Sequence, residues 1–494
     1  MKQYRILILS VLLAAASIAG GCSKWLDVSP KTQMKEDEQF SSRQGFIDAL
    51  FGVYQRAAAD SLYGNNLSFG MLDVLAGRYE NKSGTGNWYS QMAMYNYTYN
   101  AGLGVNVERE VAEVWSTAYS CIAQANYILR NVDKGKSILG EQAYQIIKGE
   151  ALALRAFFHF DLLRLYAPVP NAANNDKPAI PYMDAFTIQP QARQTVGQII
   201  TRCEQELLEA EQLLSVHTEI DQIAGNQNST NPDLFLMYRQ NHLNYWAVKA
   251  LLARLHLYKG DKVNALKYAQ EVINSGKFRF MTSATLTSTD PLTENSDLTF
   301  TPEHIFSIYA SHLKRVADDL FKQSPVNNNE DNRDLYTTQT KVNNMYEASV
   351  PGYSTDIRLP IQAKSLWTVV NTLNNLYTKK YHADNQRNVR QRLIPVIRLP
   401  EMYYIAAEAA PTPDEGLVFL NAVRSARSLP ALATAANLEA EIMKEYRKEF
   451  YAEGQLWYYF KRKNTATIPD GVGNPMTEAK YIFPLPLDEI QFGK

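Results

Sequence analysis

The stretch from Gln145 to Tyr166 constrains the fold more than any other part of the chain. It carries Ile146, Ile147, Ala151, Leu152, Leu154, Phe157, Phe158, Phe160, Leu162 and Leu165, so a helix built from it is apolar nearly all round. Such a helix has no face to offer water and belongs in the centre of a helical domain. Pro168 and Pro170 stop it, because proline lacks the N–H that the next turn needs. Helices with a single apolar face precede it. Phe46, Ala49, Leu50, Val53 and Tyr54 recur at steps of three and four, as do Val111, Val114, Trp115, Ala118, Ile122, Ala125 and Leu129.

Further on, the helices come in pairs. Residues 243–275 read as two helices with Ala250 and Ala253 in the first, Gly260-Asp261 at the turn, and Ala265 and Ala269 in the second. Small residues at such positions let two helices approach closely, and the pattern resembles a degenerate tetratricopeptide repeat. A later pair, Leu399–Ala410 and Glu415–Arg427, is broken by Pro411-Thr412-Pro413, and a long helix is predicted from Leu438 to Lys463. Pairs of this kind cannot bury their faces singly and must stack. The expected fold is mostly α, with tetratricopeptide-like helix pairs in a right-handed array. Two stretches break the rhythm, residues 79–107 (Gly, Asn, Tyr) and 278–395 (Thr, Asn, Asp, Tyr). Long irregular insertions on a rigid array are the expected carriers of a ligand surface.

The beginning of the chain assigns a compartment. Lys2 and Arg5 precede an apolar run from Ile6 to Ala19, which is shorter than the roughly 20 residues of a membrane-crossing helix. Ala19-Gly20-Gly21-Cys22 then resembles a lipobox, with Ala19 where Leu is usual. Residues 1–21 are therefore expected to be a signal peptide, Cys22 the lipidation site and residues 22–45 a tether. Residues 46–494 are expected to form one helical domain, with a part at about 46–277, an insertion at about 278–395 and a C-terminal part at about 396–494. Lipid on Cys22 would anchor the protein to a membrane without spanning it.

Composition excludes some partners. A net charge of −1 leaves no cationic surplus for phosphates, so nucleic acid is not expected. Cys121 and Cys203 each sit in an apolar periodic segment and read as buried thiols. Catalytic constellations are missing from the sequence: it has no HExxH, CxxC or GxSxG. Gly135-Lys136-Ser137 resembles the end of a phosphate-binding loop, but Arg130 stands where the leading Gly must turn. His242 and His256 would lie about 21 Å apart on one helix, too far to share a metal. Neither metal nor cofactor is expected. Carboxylate pairs such as Asp318-Asp319 and Glu330-Asp331 could serve glycoside chemistry but read as solvated loop charges.

The 30 Tyr, 19 Phe and 6 Trp are the informative surplus. Flat rings bind sugar faces, while amides, Arg and carboxylates bond hydroxyls, and the same mixture suits extended peptides. The candidate ligand-binding residues are Asp73, Arg78, Trp88, Tyr89, Tyr95 and Asn96 in the early segment, with Tyr353 and Trp367 in the insertion. Trp88 sits among Gly, Asn and Tyr rather than on an apolar helical face, which suggests a stacking platform. Tyr95, Tyr97 and Tyr99 also suit a short strand with one buried face.

Three segments resemble the SusD/RagB family. The run from Gly149 to Pro170, containing Arg155-Ala156-Phe157-Phe158-His159-Phe160, is similar to its signature helix, with Ala167 where Gly is usual. Arg398-Leu399-Pro400-Glu401-Met402-Tyr403-Tyr404 with Leu420-Asn421-Ala422-Val423-Arg424 resembles its late helices. Arg447-Lys448-Glu449-Phe450-Tyr451-Ala452-Glu453-Gly454 through Arg462, then Phe483-Pro484-Leu485-Pro486, resembles its end, with Leu456 and Tyr459 where Arg and Asp are usual. The resemblance implies an outer-membrane lipoprotein facing the exterior, without catalysis, that closes as a lid over ligand delivered to a SusC-like TonB-dependent transporter. It implies oligosaccharide or glycan capture, with peptide capture as in the RagB branch as the alternative. A helical glycoside hydrolase and a pure scaffold are the remaining classes. The shared motifs are read as scaffold, so Glu150, Arg155 and Glu453 are expected in buried ion pairs between helices.

Overall fold

The computed structural model describes residues 36–80, 87–102, 105–220, 233–237, 239–281, 297–321, 334–359, 366–370, 375–381 and 392–493. Cys22 and the expected signal peptide lie outside the described residues. Helix α1 (Arg43–Ala57) begins slightly before residue 46, because the Ser42 hydroxyl accepts from the Gly45 N–H at 3.2 Å and caps the first turn. Short helices α2 (Met71–Leu75) and α3 (Trp88–Ala93) follow. In α4 (Val107–Val132) the Asn106 side chain takes the Arg109 N–H at 2.8 Å, and Glu108 and Glu110 favour the positive end of the helix dipole. Helix α5 (Glu141–Tyr166) is the central helix: every residue from Gly149 to Tyr166 is buried, the ionisable Glu150, Arg155, Asp161 and Arg164 among them. It ends at extended Ala167, the conformation a residue before proline prefers.

Strand β1 (Pro178–Pro181) pairs antiparallel with β2 (Arg193–Thr195). Helix α6 (Val196–Leu214) starts at a reciprocal cap of Thr195 and Gln198 and packs on α5, as α4 does. The pair α7 (Tyr245–Tyr258) and α8 (Lys262–Asn274) forms as predicted, with Gly260 at φ +85° making the turn. Its four predicted alanines are fully buried at the helix contact.

The insertion is less irregular than its composition suggests. Strand β3 (His304–Tyr309) leads to α9 (Leu313–Phe321), β4 (Thr337–Thr338) and α10 (Gln339–Met345). Strands β5 (Trp367–Val370) and β6 (Asn375–Thr378) complete a three-stranded sheet in the order β4-β6-β5. Strand β7 (Leu393–Arg398) then pairs antiparallel with β3, tying the end of the insertion to its beginning. Both strands are almost wholly buried, which is why neither shows the apolar-polar alternation of a half-exposed strand.

Helices α11 (Leu399–Ala409) and α12 (Pro413–Ala426) form the later pair, and α11 packs on α8, so the pairs stack. A Cβ at Gly416 would strike the Ala407 carbonyl, so this glycine permits the close approach of α11 and α12. The predicted long helix is in fact two, α13 (Leu438–Glu449) and α14 (Gln455–Arg462), followed by α15 (Leu487–Phe492). Ala452 and Gly454 take left-handed conformations at φ +61° and +72°, and both donate their N–H to Asp73 of α2. A contact from the far end of the chain thus overrides local helix periodicity. The fold is mostly α, with tetratricopeptide-like pairs as expected. No helix among the described residues is long and apolar enough to cross a membrane.

The insertion is joined to the last helices by a buried ionic cluster. Arg398 reaches Glu303 (2.9 Å), Glu449 (2.7 Å) and Glu453 (2.9 Å), and Arg427 reaches Glu303 and Glu449, both at 2.7 Å. Arg358 contacts Asp356, Glu445 and Glu449. Burial works against the Glu449 carboxylate, yet the guanidiniums of Arg427 and Arg398 hold its pKa well below the usual range. All three residues expected in ion pairs are paired, Arg155 with Glu206 of α6 at 2.7 Å. Glu453, however, lies in the turn after α13 and pairs with Arg398 at the end of β7 and with Lys380, and Glu150 pairs with Arg239 of a short 3-10 turn. Only the first pair therefore joins two α-helices.

Candidate functional site

The early irregular segment, the insertion and a loop before the C-terminus converge on one cleft of about 130 Å³. Helix α3 supplies Tyr89 and Ser90, and Asn87 caps that helix by accepting from the Tyr89 N–H at 3.0 Å. The turn after α2 supplies Tyr79, whose hydroxyl donates to the Phe69 carbonyl at 2.7 Å, and Glu80, whose N–H donates to the Tyr336 carbonyl at 2.8 Å. That last bond attaches the early segment to the insertion. From the insertion come Asp334, which accepts from the Tyr377 hydroxyl at 2.6 Å, and Lys341 of α10. Exposed Asp470 closes the rim and accepts from Arg447 at 3.0 Å.

Lys341 and Glu80 form an ion pair at 2.9 Å while remaining 32% and 26% exposed, so both can still reach a ligand. Burial, followed by the Asp73 charge, pushes the Tyr79 hydroxyl well above its ordinary pKa, so it stays protonated. The cleft thus leaves Glu80, Lys341 and Asp470 in contact with solvent, while Tyr79, Asn87, Tyr89 and Asp334 are buried in its wall. Solvent-accessible charges of both signs around a small space suit a ligand rich in hydroxyls.

Of the eight candidates from sequence, only Tyr89 borders this cleft, and it is itself 4% exposed, with its hydroxyl beside the Asn65 amide at 3.1 Å. Asp73 is fully buried, and its carboxylate accepts from the backbone at Ala452 and Gly454, which makes it a structural anchor. Burial pushes its pKa up to about 7, opposed by the Arg78 charge. Arg78 is buried too, donating to the Arg447 carbonyl at 2.9 Å with its guanidinium over the Tyr451 ring. Trp88 is 8% exposed and lies against Tyr89 with ring centres 3.9 Å apart, so it is packed rather than offered as a platform. Tyr95 stacks on Trp457 at 6.0 Å, and its hydroxyl donates to the Leu75 carbonyl at 3.2 Å. The alternative of a short strand fails as well, since Tyr95 is left-handed and Tyr97 packs on Phe483. Trp367 is buried against Tyr451, with its indole N–H on the Arg358 carbonyl at 2.9 Å. Half-buried Tyr353 accepts from Arg424 at 2.9 Å, and Asn96 is exposed; neither borders the cleft.

Sequence reasoning missed Glu80, Asp334, Lys341 and Asp470 as site residues. No periodicity marks them, and only the folded chain brings them together. It also missed a wider groove of about 710 Å³ among Trp115, Tyr119, Met183, Ile188 and Phe492, where burial raises the carboxyls of Glu113 and Glu489. That groove does not join the two irregular segments.

A SusD-like family model described as starch-binding associating with outer membrane matches residues 24–229, and a SusD family model matches residues 302–490. The chain belongs to the SusD/RagB family. A SusD-like protein of Formosa agariphila is 22% identical over 540 residues, spanning 98% of this chain and 97% of the relative. A SusD superfamily protein of Bacteroides thetaiotaomicron superposes with a TM-score of 0.66 at 21% identity, covering 91% of this chain and 98% of that one. A SusD-like carbohydrate binding protein of Bacteroides vulgatus does so with a TM-score of 0.67 at 16% identity, covering 92% and 96%. At these identities the two structures establish the fold.

Proposed function

We propose that this SusD/RagB protein is a surface-exposed outer-membrane lipoprotein, anchored through Cys22, that captures an oligosaccharide and delivers it to a SusC-like TonB-dependent transporter. The observation that carries the ligand assignment is the cleft, where both irregular segments meet around the solvent-accessible, hydroxyl-bonding side chains of Glu80, Lys341 and Asp470. The description of the matching family model and the carbohydrate-binding relative support sugar as the ligand class. Binding proceeds without turnover in this reading. The carboxylates of the cleft are held by Lys341, Tyr377 and Arg447, an arrangement for accepting hydroxyl protons rather than for exchanging them with a substrate.

Calorimetric titration with a panel of neutral oligosaccharides and short peptides tests the reading. At least one oligosaccharide is expected to bind, and Lys341→Met or Asp470→Asn should weaken it by roughly five- to tenfold, the loss of about 1 kcal/mol that one hydrogen bond contributes. Peptide binding without sugar binding, or the appearance of hydrolysis products, would overturn it. For the anchor, Cys22→Ala should abolish fatty-acid labelling and membrane association.

A further inference from the structure

Five helices, α5, α7, α11, α13 and α14, enclose a second, smaller cavity of about 40 Å³ at the junction of the two halves of the chain. Its wall contains four buried polar groups without a hydrogen-bond partner: Arg164 Nε, Arg254 Nη1, and the hydroxyls of Tyr258 and Tyr458. The rest of each arginine is firmly held. Arg254 grips Glu401 through Nε and Nη2, both at 2.6 Å, and also donates from Nη2 to the Val396 carbonyl at 2.7 Å, leaving only Nη1. Arg164 pairs with Asp161 through Nη2, and its guanidinium lies 3.7 Å from the centre of the Tyr458 ring. Burial raises the pKa of both tyrosines, so their hydroxyls keep their protons.

A buried donor left without an acceptor costs about 1–3 kcal/mol, and four around one cavity are not an accident that a stable core tolerates. The two arginine groups can only donate, and both hydroxyls have a proton to give. A single water could accept from the two arginines and donate to the two tyrosine oxygens but would leave both hydroxyl protons without an acceptor, whereas a monatomic anion accepts from all four groups. Glu401 is the one carboxylate among the lining residues, and both of its oxygens already accept from Arg254; the Asp161 carboxylate is taken by Arg164. We infer that this cavity is a binding site for one halide ion, chloride in ordinary media, held by Arg164, Arg254, Tyr258 and Tyr458. The ion would join helices from both halves of the chain at one point. The site owes nothing to the ligand cleft, so its fate and that of the proposed function are separate.

Bromide is the probe. In crystals of the protein grown in sodium bromide, anomalous scattering should show a peak in the cavity, in contact with Arg164 Nε and Arg254 Nη1. Surface bromides with only water-like density in the cavity would overturn the inference. In solution, the melting temperature should be higher in chloride than in gluconate at equal ionic strength. Tyr258→Phe combined with Tyr458→Phe, which keeps the rings and removes two donors, should shrink that difference. An undiminished difference in the double variant would also count against the site.

Discussion

The ionic cluster around Glu449 and the cleft beside α3 are both built from carboxylates and cations, yet they handle charge in opposite ways. In the cluster, each Glu449 oxygen receives two guanidinium hydrogen bonds, at 2.7 Å from Arg398 and Arg427 and at 2.9 Å from Arg358 and Arg427. Every partner is 0–2% exposed. In the cleft, Glu80 and Lys341 share a single ion pair and keep contact with water. A charge removed from water must be fully bonded by the protein, so the cluster has nothing left for a ligand and acts on the fold. A half-solvated charge beside a cavity contributes little to stability and can exchange water for a ligand.

Breaking the cluster should have the largest effect. Glu449→Gln leaves three guanidiniums without their shared carboxylate and should cost about 3–5 kcal/mol of stability in urea titration; a loss below ~1 kcal/mol would mean that the cluster does not hold the fold. Trp88→Ala, near the cleft but buried, should behave like a core truncation and cost about 3 kcal/mol. If instead the variant keeps its melting temperature and loses ligand affinity, Trp88 returns to the binding surface.

A third effect is set by pH. His159 Nε2 accepts from the Met183 N–H at 3.0 Å, and Nδ1 lies 2.9 Å from the Arg155 carbonyl, which fits only the neutral ring. Burial pushes its pKa down to about 3. Above the unfolded value near 6.5 its contribution is fully present, and it is lost as pH falls toward 3, by at most ~1.4 kcal/mol per pH unit. Urea titrations at a series of pH values from 7 to 4 should show His159→Gln losing stability less steeply than the parent; parallel slopes would refute this. The smallest effect belongs to the cleft. Lys341→Met should change stability by about 0–1 kcal/mol, sharpening the contrast with Glu449 because it is the variant expected to lose ligand.

The helices were legible because their causes are local. The apolar steps from Val111 to Leu129 describe one face whatever it packs against, and the small residues around Gly260 mark a turn between two helices wherever the pair stacks. The strands of the insertion were not, because β3 and β7 are buried on both faces and lack alternation. The site residues were the least legible. A tyrosine or tryptophan in a polar stretch has the same local signature whether it faces solvent or is folded inward, and Tyr95 and Trp367 are both folded inward.

The sequence by itself determined the helical class, the paired small-residue turns and the family, all of which rest on patterns within a few dozen residues. Only the tertiary structure decided which polar groups became scaffold and which became surface. Asp73 looked like a ligand contact until the turn at Ala452 and Gly454, at the far end of the chain, claimed both of its oxygens. Lys341 and Asp470 carry no mark in the sequence, and folding placed them on one cleft. The physical reason is desolvation: whether a charge binds its own protein or something else depends on what surrounds it, and neighbours hundreds of residues away set that environment.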